Sequence, residues 1–216
     1  QFSLFLGFYT IATFLIVPLL APLGGREPVS HNYNITATNY LTVLLNRNYV
    51  RPALNQVLVT TAKSLEPTGV QLRYLDANFP FFNGFPLLPH LSHSDGKKID
   101  LSLVYETKDH ELTTLQKSRS GYGAFVGPKS HEVDQISGGY WQYDFPKYLT
   151  LGQINPELIF SELGTKLLVK QLLKQQAVRK IFIEPHLKNR LGLSSNRVRY
   201  HGCRAVRHDD HIHVQL

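Results

Sequence analysis

His208-Asp209-Asp210-His211-Ile212-His213-Val214-Gln215-Leu216 closes the chain. In an extended strand successive side chains point to opposite faces, so Ile212, Val214 and Leu216 share one face and His211, His213 and Gln215 the other. The first face suits a core. The second does not, because a buried imidazole without hydrogen-bond partners costs free energy. It suits a metal: neutral imidazole is a common zinc ligand, and Asp209 or Asp210 is close enough in sequence to orient one. The segment therefore predicts a terminal strand with a core on one side and a metal centre on the other.

The complementary ligands lie more than a hundred residues upstream, in His90-Leu-Ser-His93-Ser-Asp-Gly96-Lys-Lys-Ile-Asp100-Leu-Ser-Leu103. Ser94, Asp95 and Gly96 predict a turn, and Ile99, Leu101 and Leu103 alternate with Asp100 and Ser102 as a strand. His93 before the turn and Asp100 after it fold back towards one point. Two histidines and a carboxylate form a catalytic zinc set that leaves the fourth position to water.

These two segments, His90-x-Ser-His93-x-x-Gly-x-x-x-Asp100 and His208-x-x-His211-x-His213, resemble the penicillin-insensitive murein endopeptidases. That family belongs to the wider group of LAS metallopeptidases, which includes lysostaphin and the D-Ala-D-Ala peptidases. The resemblance covers roughly the last two thirds of the chain. It implies an α+β fold and a zinc site of His93, Asp100 and His213. It gives His211 the role of general base or oxyanion donor and His208 the complementary one, and it leaves His90 beside the metal without a settled role. Strict alternation places His208 on the face opposite His211, so these roles require a bulge or turn at Asp209-Asp210.

Composition sets the outer limits. The chain has 216 residues, 43% hydrophobic and 18% charged, which excludes disorder and allows one domain with an appendage. A net charge of +7 draws it to anionic surroundings, whether nucleic acid, lipid or cell-wall polymer. Without a Lys/Arg strip interleaved with aromatics, a His/Asp nuclease is the weakest reading, and no nucleic acid is expected. Cys203 is the single cysteine, so there is no intrachain disulfide framework.

From Phe2 to Leu23 there is no charge, and about 20 apolar residues are enough to cross a bilayer as a helix. Residues 1–25 therefore read as a transmembrane or signal-anchor segment, with a cleaved signal peptide as the alternative. Residues 26–66 read as a polar linker followed by packing helices, with Pro52 at the start of the second helix. Residues 67–216 read as the metallopeptidase domain: a mainly antiparallel sheet with flanking helices, the metal ligands on neighbouring strands. Within it, Tyr140 to Phe145 reads as an aromatic strand or as core. Asn155-Pro156-Glu157 reads as a helix start, with Ile159, Leu163, Leu167, Leu168 and Leu172 as its buried stripe. Arg73, Arg204 and Arg207 are candidates to grip a substrate carboxylate.

The resulting expectation is a zinc-dependent peptidase cutting peptidoglycan cross-bridges or D-amino-acid peptides, anchored in the cell membrane with its domain outside the cytoplasm. The alternative is a non-catalytic zinc-containing wall-binding or partner-binding module.

Overall fold

Helical propensity continues through the whole apolar stretch. The computed structural model, which describes residues 1–32, 34–88, 91–133 and 140–216, is helical from Phe2 to Gly24. This helix comprises α1 (Phe2–Ile11), a wide turn Ala12–Ile16, α2 (Val17–Leu20) and a tight turn Ala21–Gly24. The wide turn precedes Pro18, which lacks an N–H and crowds the carbonyl four residues back. The rest runs β1 (Glu27–Pro28), β2 (Ile35–Ala37), α3 (Tyr40–Leu44), β3 (Tyr49–Val50), α4 (Pro52–Leu65), β4 (Leu72–Asp76), β5 (Lys98–Ser102), β6 (Tyr105–Glu106) and β7 (Leu112–Thr113). After a long connection come β8 (Ile159–Phe160), α5 (Glu162–Lys174), β9 (Lys180–Phe182), α6 (Pro185–Arg190), β10 (Val198–Arg199) and β11 (His211–Gln215).

The architecture is mixed α+β, as expected. The main sheet has the order β10-β9-β11-β5-β4-β2. Its central pairings are antiparallel, whereas the edge strands β2 and β10 pair in parallel with β4 and β9. β1 pairs with β3, and β7-β6-β8 form a small third sheet. One face of the main sheet carries Ile99, Leu101, Ile181, Ile212 and Val214, which form a single buried cluster with Leu54, Leu58 and Leu65 of α4 and Leu168, Val169 and Leu172 of α5. The helices thus cover one face and leave the other to polar side chains.

The packing helices expected within residues 26–66 include α4, which starts at Pro52 and supplies part of the same core as the later strands; the polar segment before them contains Ile35–Ala37, an unexpected edge strand of the main sheet. Two further expectations change. The helix read at Asn155 starts instead at Glu162, where the Ser161 hydroxyl accepts from Gly164 N. Asn155 takes φ 46°, a left-handed conformation rather than the extended one of an N-cap, and its Nδ2 donates to the Gln116 carbonyl. Leu168 and Leu172 of the expected stripe are buried, while Ile159 and Leu163 are exposed. Tyr140–Phe145 forms a turn rather than a strand, with Tyr143 buried and Trp141 exposed.

Candidate metal centre

β5 and β11 lie side by side, with Asp100 directly opposite His213 and Ser102 opposite His211. Because opposed residues of an antiparallel pair share a face, that register alone brings a carboxylate to an imidazole. His93 comes from the turn before β5. Gly96 makes that turn at φ +78°, where a Cβ would lie 2.9 Å from Arg51 Cγ and 3.0 Å from Arg26 Nε.

Three donor atoms converge. His213 Nδ1 is 2.8 Å from Asp100 Oδ1; His93 Nε2 is 3.2 Å from the same oxygen and 3.3 Å from His213 Nδ1. All three residues are buried. Ligand bonds of about 2.0–2.1 Å at tetrahedral angles put neighbouring donors roughly 3.3 Å apart, which is close to this spacing. Two imidazoles sharing a carboxylate through hydrogen bonds alone would give similar contacts. The outward-facing atoms favour the metal. His93 Nδ1 donates to the Ala77 carbonyl at 2.9 Å, which frees Nε2 as a ligand, and Tyr122 donates its hydroxyl to Asp100 Oδ2 at 2.8 Å. Such partners are what oriented metal ligands carry.

His211 and His208 line the same cleft of about 110 Å³, with Leu91, Ser92, His201 and Val206. His211 Nδ1 donates to Asp210 Oδ1 at 2.5 Å, and its Nε2 faces Asp100 Oδ2 at 3.8 Å. The bend required for His208 is present: residues 209 and 210 turn, and the His208 ring lies 4.7 Å from that of His211. His208 N donates to Glu184 Oε1, Gly123 N donates to Asp210 Oδ2, and Val126 N donates to the Asp209 carbonyl. His208 Nδ1 is buried without a hydrogen-bond partner, an atom a bound group would satisfy. The donor set and this orphan fit a metal with an exchangeable neighbour. A larger concavity of about 560 Å³ beside α4, lined by Asn32, Asn34, Val59, Ala62, Lys63 and Glu66, brings no comparable donors together.

Burial opposes every charge here, and the carboxylates decide where it is overcome. Burial acts against the protonated form of His211, but Asp210 and Asp100 outweigh it and raise the imidazole to about 9. Burial works against Asp100 ionisation, yet His93 and His211 hold its carboxyl well below the usual range. Burial, with His211 and His213 beside it, lowers His208. Burial also dominates at His213, lowering it to about 4 despite Asp100.

His93, Asp100, His208, His211 and His213 therefore meet in one place, while His90 lies outside the described residues. Arg207 is buried and paired with Asp209 and Asp144, leaving no free guanidinium for a substrate. Arg73 donates to Thr36 Oγ1, and Arg204 is exposed beside Tyr140. Tyr122 and His201 escaped the sequence reading: Tyr122 sits in an irregular Ser-Gly-Tyr-Gly stretch, and His201 is a lone histidine stacked on Phe182 at 4.3 Å. No family model matches this chain, and no curated protein matches it.

Proposed function

We propose that this chain is a zinc-dependent peptidase acting on peptidoglycan cross-bridges or other D-amino-acid-containing peptides, tethered to the membrane with its domain on the extracytoplasmic side. The observation that carries the reading is the convergence of His93 Nε2, Asp100 Oδ1 and His213 Nδ1 beside two further imidazoles in one cleft. The resemblance of both histidine segments to murein endopeptidases supplies the substrate class.

His93, Asp100 and His213 would hold the metal, which when bound supplies a Lewis acid and lowers the pKa of a water to about 7. The residues do the rest. Asp210 accepts a hydrogen bond from His211 Nδ1 and so aims Nε2 into the cleft, where an imidazolium can donate to a developing oxyanion or protonate a leaving amine. His208, lowered by burial, stays neutral and can accept a hydrogen bond through Nδ1. A structural zinc site normally closes its fourth position with a protein ligand. Retention of both extra imidazoles therefore favours turnover over the non-catalytic binding module.

The test uses the full chain in detergent: zinc by elemental analysis, and release of new amino groups from purified peptidoglycan with and without chelator. About one zinc per chain with chelator-sensitive release supports the peptidase. Zinc without release moves the reading to the binding module, and absence of zinc removes the centre altogether.

A further inference from the structure

We propose that α3 and the loop at Tyr148–Leu151 are inserted into the lipid bilayer beside the Phe2–Gly24 helix, so that the domain is seated in the membrane rather than hung from it. The inference rests on the membrane reading of that helix. It does not depend on the peptidase activity.

The helix carries four polar side chains, Ser3, Tyr9, Thr10 and Thr13; Thr10 donates to the Leu6 carbonyl of its own helix at 2.7 Å, while Tyr9 and Thr13 find partners outside it that hydrocarbon would not supply. Both are met by the end of α3: Tyr9 donates its hydroxyl to the Leu44 carbonyl at 2.5 Å, and Asn46 Nδ2 donates to Thr13 Oγ1 at 3.4 Å. These contacts fall far along the helix. At about 1.5 Å per residue, Tyr9 is roughly 22 Å from Gly24, while the hydrocarbon core is about 30 Å thick. An element bound at Tyr9 therefore lies at hydrocarbon depth when the helix spans the bilayer.

The surface of α3 is built for that depth. Tyr40, Leu41 and Leu45 are 74%, 49% and 57% exposed. Leu41 and Leu45 line a groove with Tyr148 and Leu151, which are themselves exposed; the same groove includes Arg47 and Asp76, which are paired with each other. Leu151 takes φ 52°, an unfavourable conformation for leucine that turns an apolar side chain outward. Cations rim the patch: Lys147 lies 5.2 Å from the Tyr148 ring centroid, and exposed Arg119 borders Gly152. Exposed apolar groups flanked by Lys and Arg suit an acyl region bordered by anionic headgroups.

The experiment places single cysteines at Leu41→Cys, Leu45→Cys and Leu151→Cys in a Cys203→Ser background, in the full chain reconstituted into phosphatidylcholine/phosphatidylglycerol nanodiscs. Each carries an environment-sensitive fluorophore. Leu6→Cys reports the helix, and Lys170→Cys on the exposed side of α5 reports water. Lipid-tethered spin labels should quench the probes at 41, 45 and 151 several-fold more than the probe at 170, and aqueous iodide should do the reverse. If position 6 is in lipid but 41, 45 and 151 behave like 170, the seating is overturned and the helix reading stands. If position 6 also faces water, both fall. Protection from both quenchers would mean that protein, such as a second copy, covers the patch, and would overturn the proposal.

Discussion

Tyr122 tests the centre most gently. Its hydroxyl holds Asp100 Oδ2, so Tyr122→Phe removes one oxygen and leaves the ring in place. Loss of such a partner typically weakens metal binding about 10-fold to 100-fold, which a competitive zinc titration would measure while the fold stays intact by circular dichroism. His213→Ala should abolish zinc binding. His211→Ala should leave zinc bound and cut turnover about 10²-fold or more; loss of zinc in that variant would make His211 a ligand. At this scale the sequence was most readable where spacing fixes geometry. A His-x-His strand opposite an x-Asp-x strand can bring donors together through pairing register alone, and it does. Tyr122, His201 and the Ala77 carbonyl carry no such spacing. They meet the cluster residues or the cleft through tertiary contacts, so residue type alone could not reveal them.

Among the elements, α5 shows how a true local signal can lose. Asn155-Pro156-Glu157 has the chemistry of a helix start, but Ser161, a few residues on, accepts from Gly164 N and takes the role. Ser161→Ala should cost about 1 kcal/mol, read as a lower denaturant midpoint with unchanged m-value, whereas Asn155→Ala should leave the helix unchanged. The Arg190–Glu132 pair ties α6 to the long connection. Hydrogen bonding from Arg190 lowers the Glu132 carboxyl from 4.5 to about 2. Its stabilisation is therefore present above about pH 4.5 and disappears as pH falls through about 2. Thermal midpoints of wild type and Glu132→Gln should differ at pH 7 and converge at pH 2. The strands at Ile99 and Ile212 were legible from alternation; β2 was not, because three residues among asparagines carry no period.

Across the whole molecule, the buried face of α4 sets what can be cut away. Leu54, Val57, Leu58, Ala62 and Leu65 are buried against the sheet's core. Their burial contributes on the order of 10 kcal/mol at about 1.5–3 kcal/mol per large side chain, as much as the roughly 5–15 kcal/mol net stability of an ordinary domain. A fragment beginning at Pro67 should therefore lack a cooperative unfolding transition, while the full chain shows one. Composition marked the apolar stretch that forms the Phe2–Gly24 helix. It could not show that the packing helix at residues 52–65 completes the core of the later strands, because amphipathic helices look alike whether they tether or pack.

Arg26 is the first charged residue after the apolar helix, and it is buried. Its guanidinium donates to the Phe79 carbonyl, to Asn83 Oδ1 at 2.7 Å and to the Ser94 carbonyl at 3.3 Å. Ser94 adjoins His93, so the end of the apolar helix grips the segment that carries a residue of the candidate metal cluster. Arg26→Ala should loosen zinc affinity from outside the cleft, without touching a donor atom. A single buried guanidinium thus joins the end of the apolar helix to the backbone next to His93.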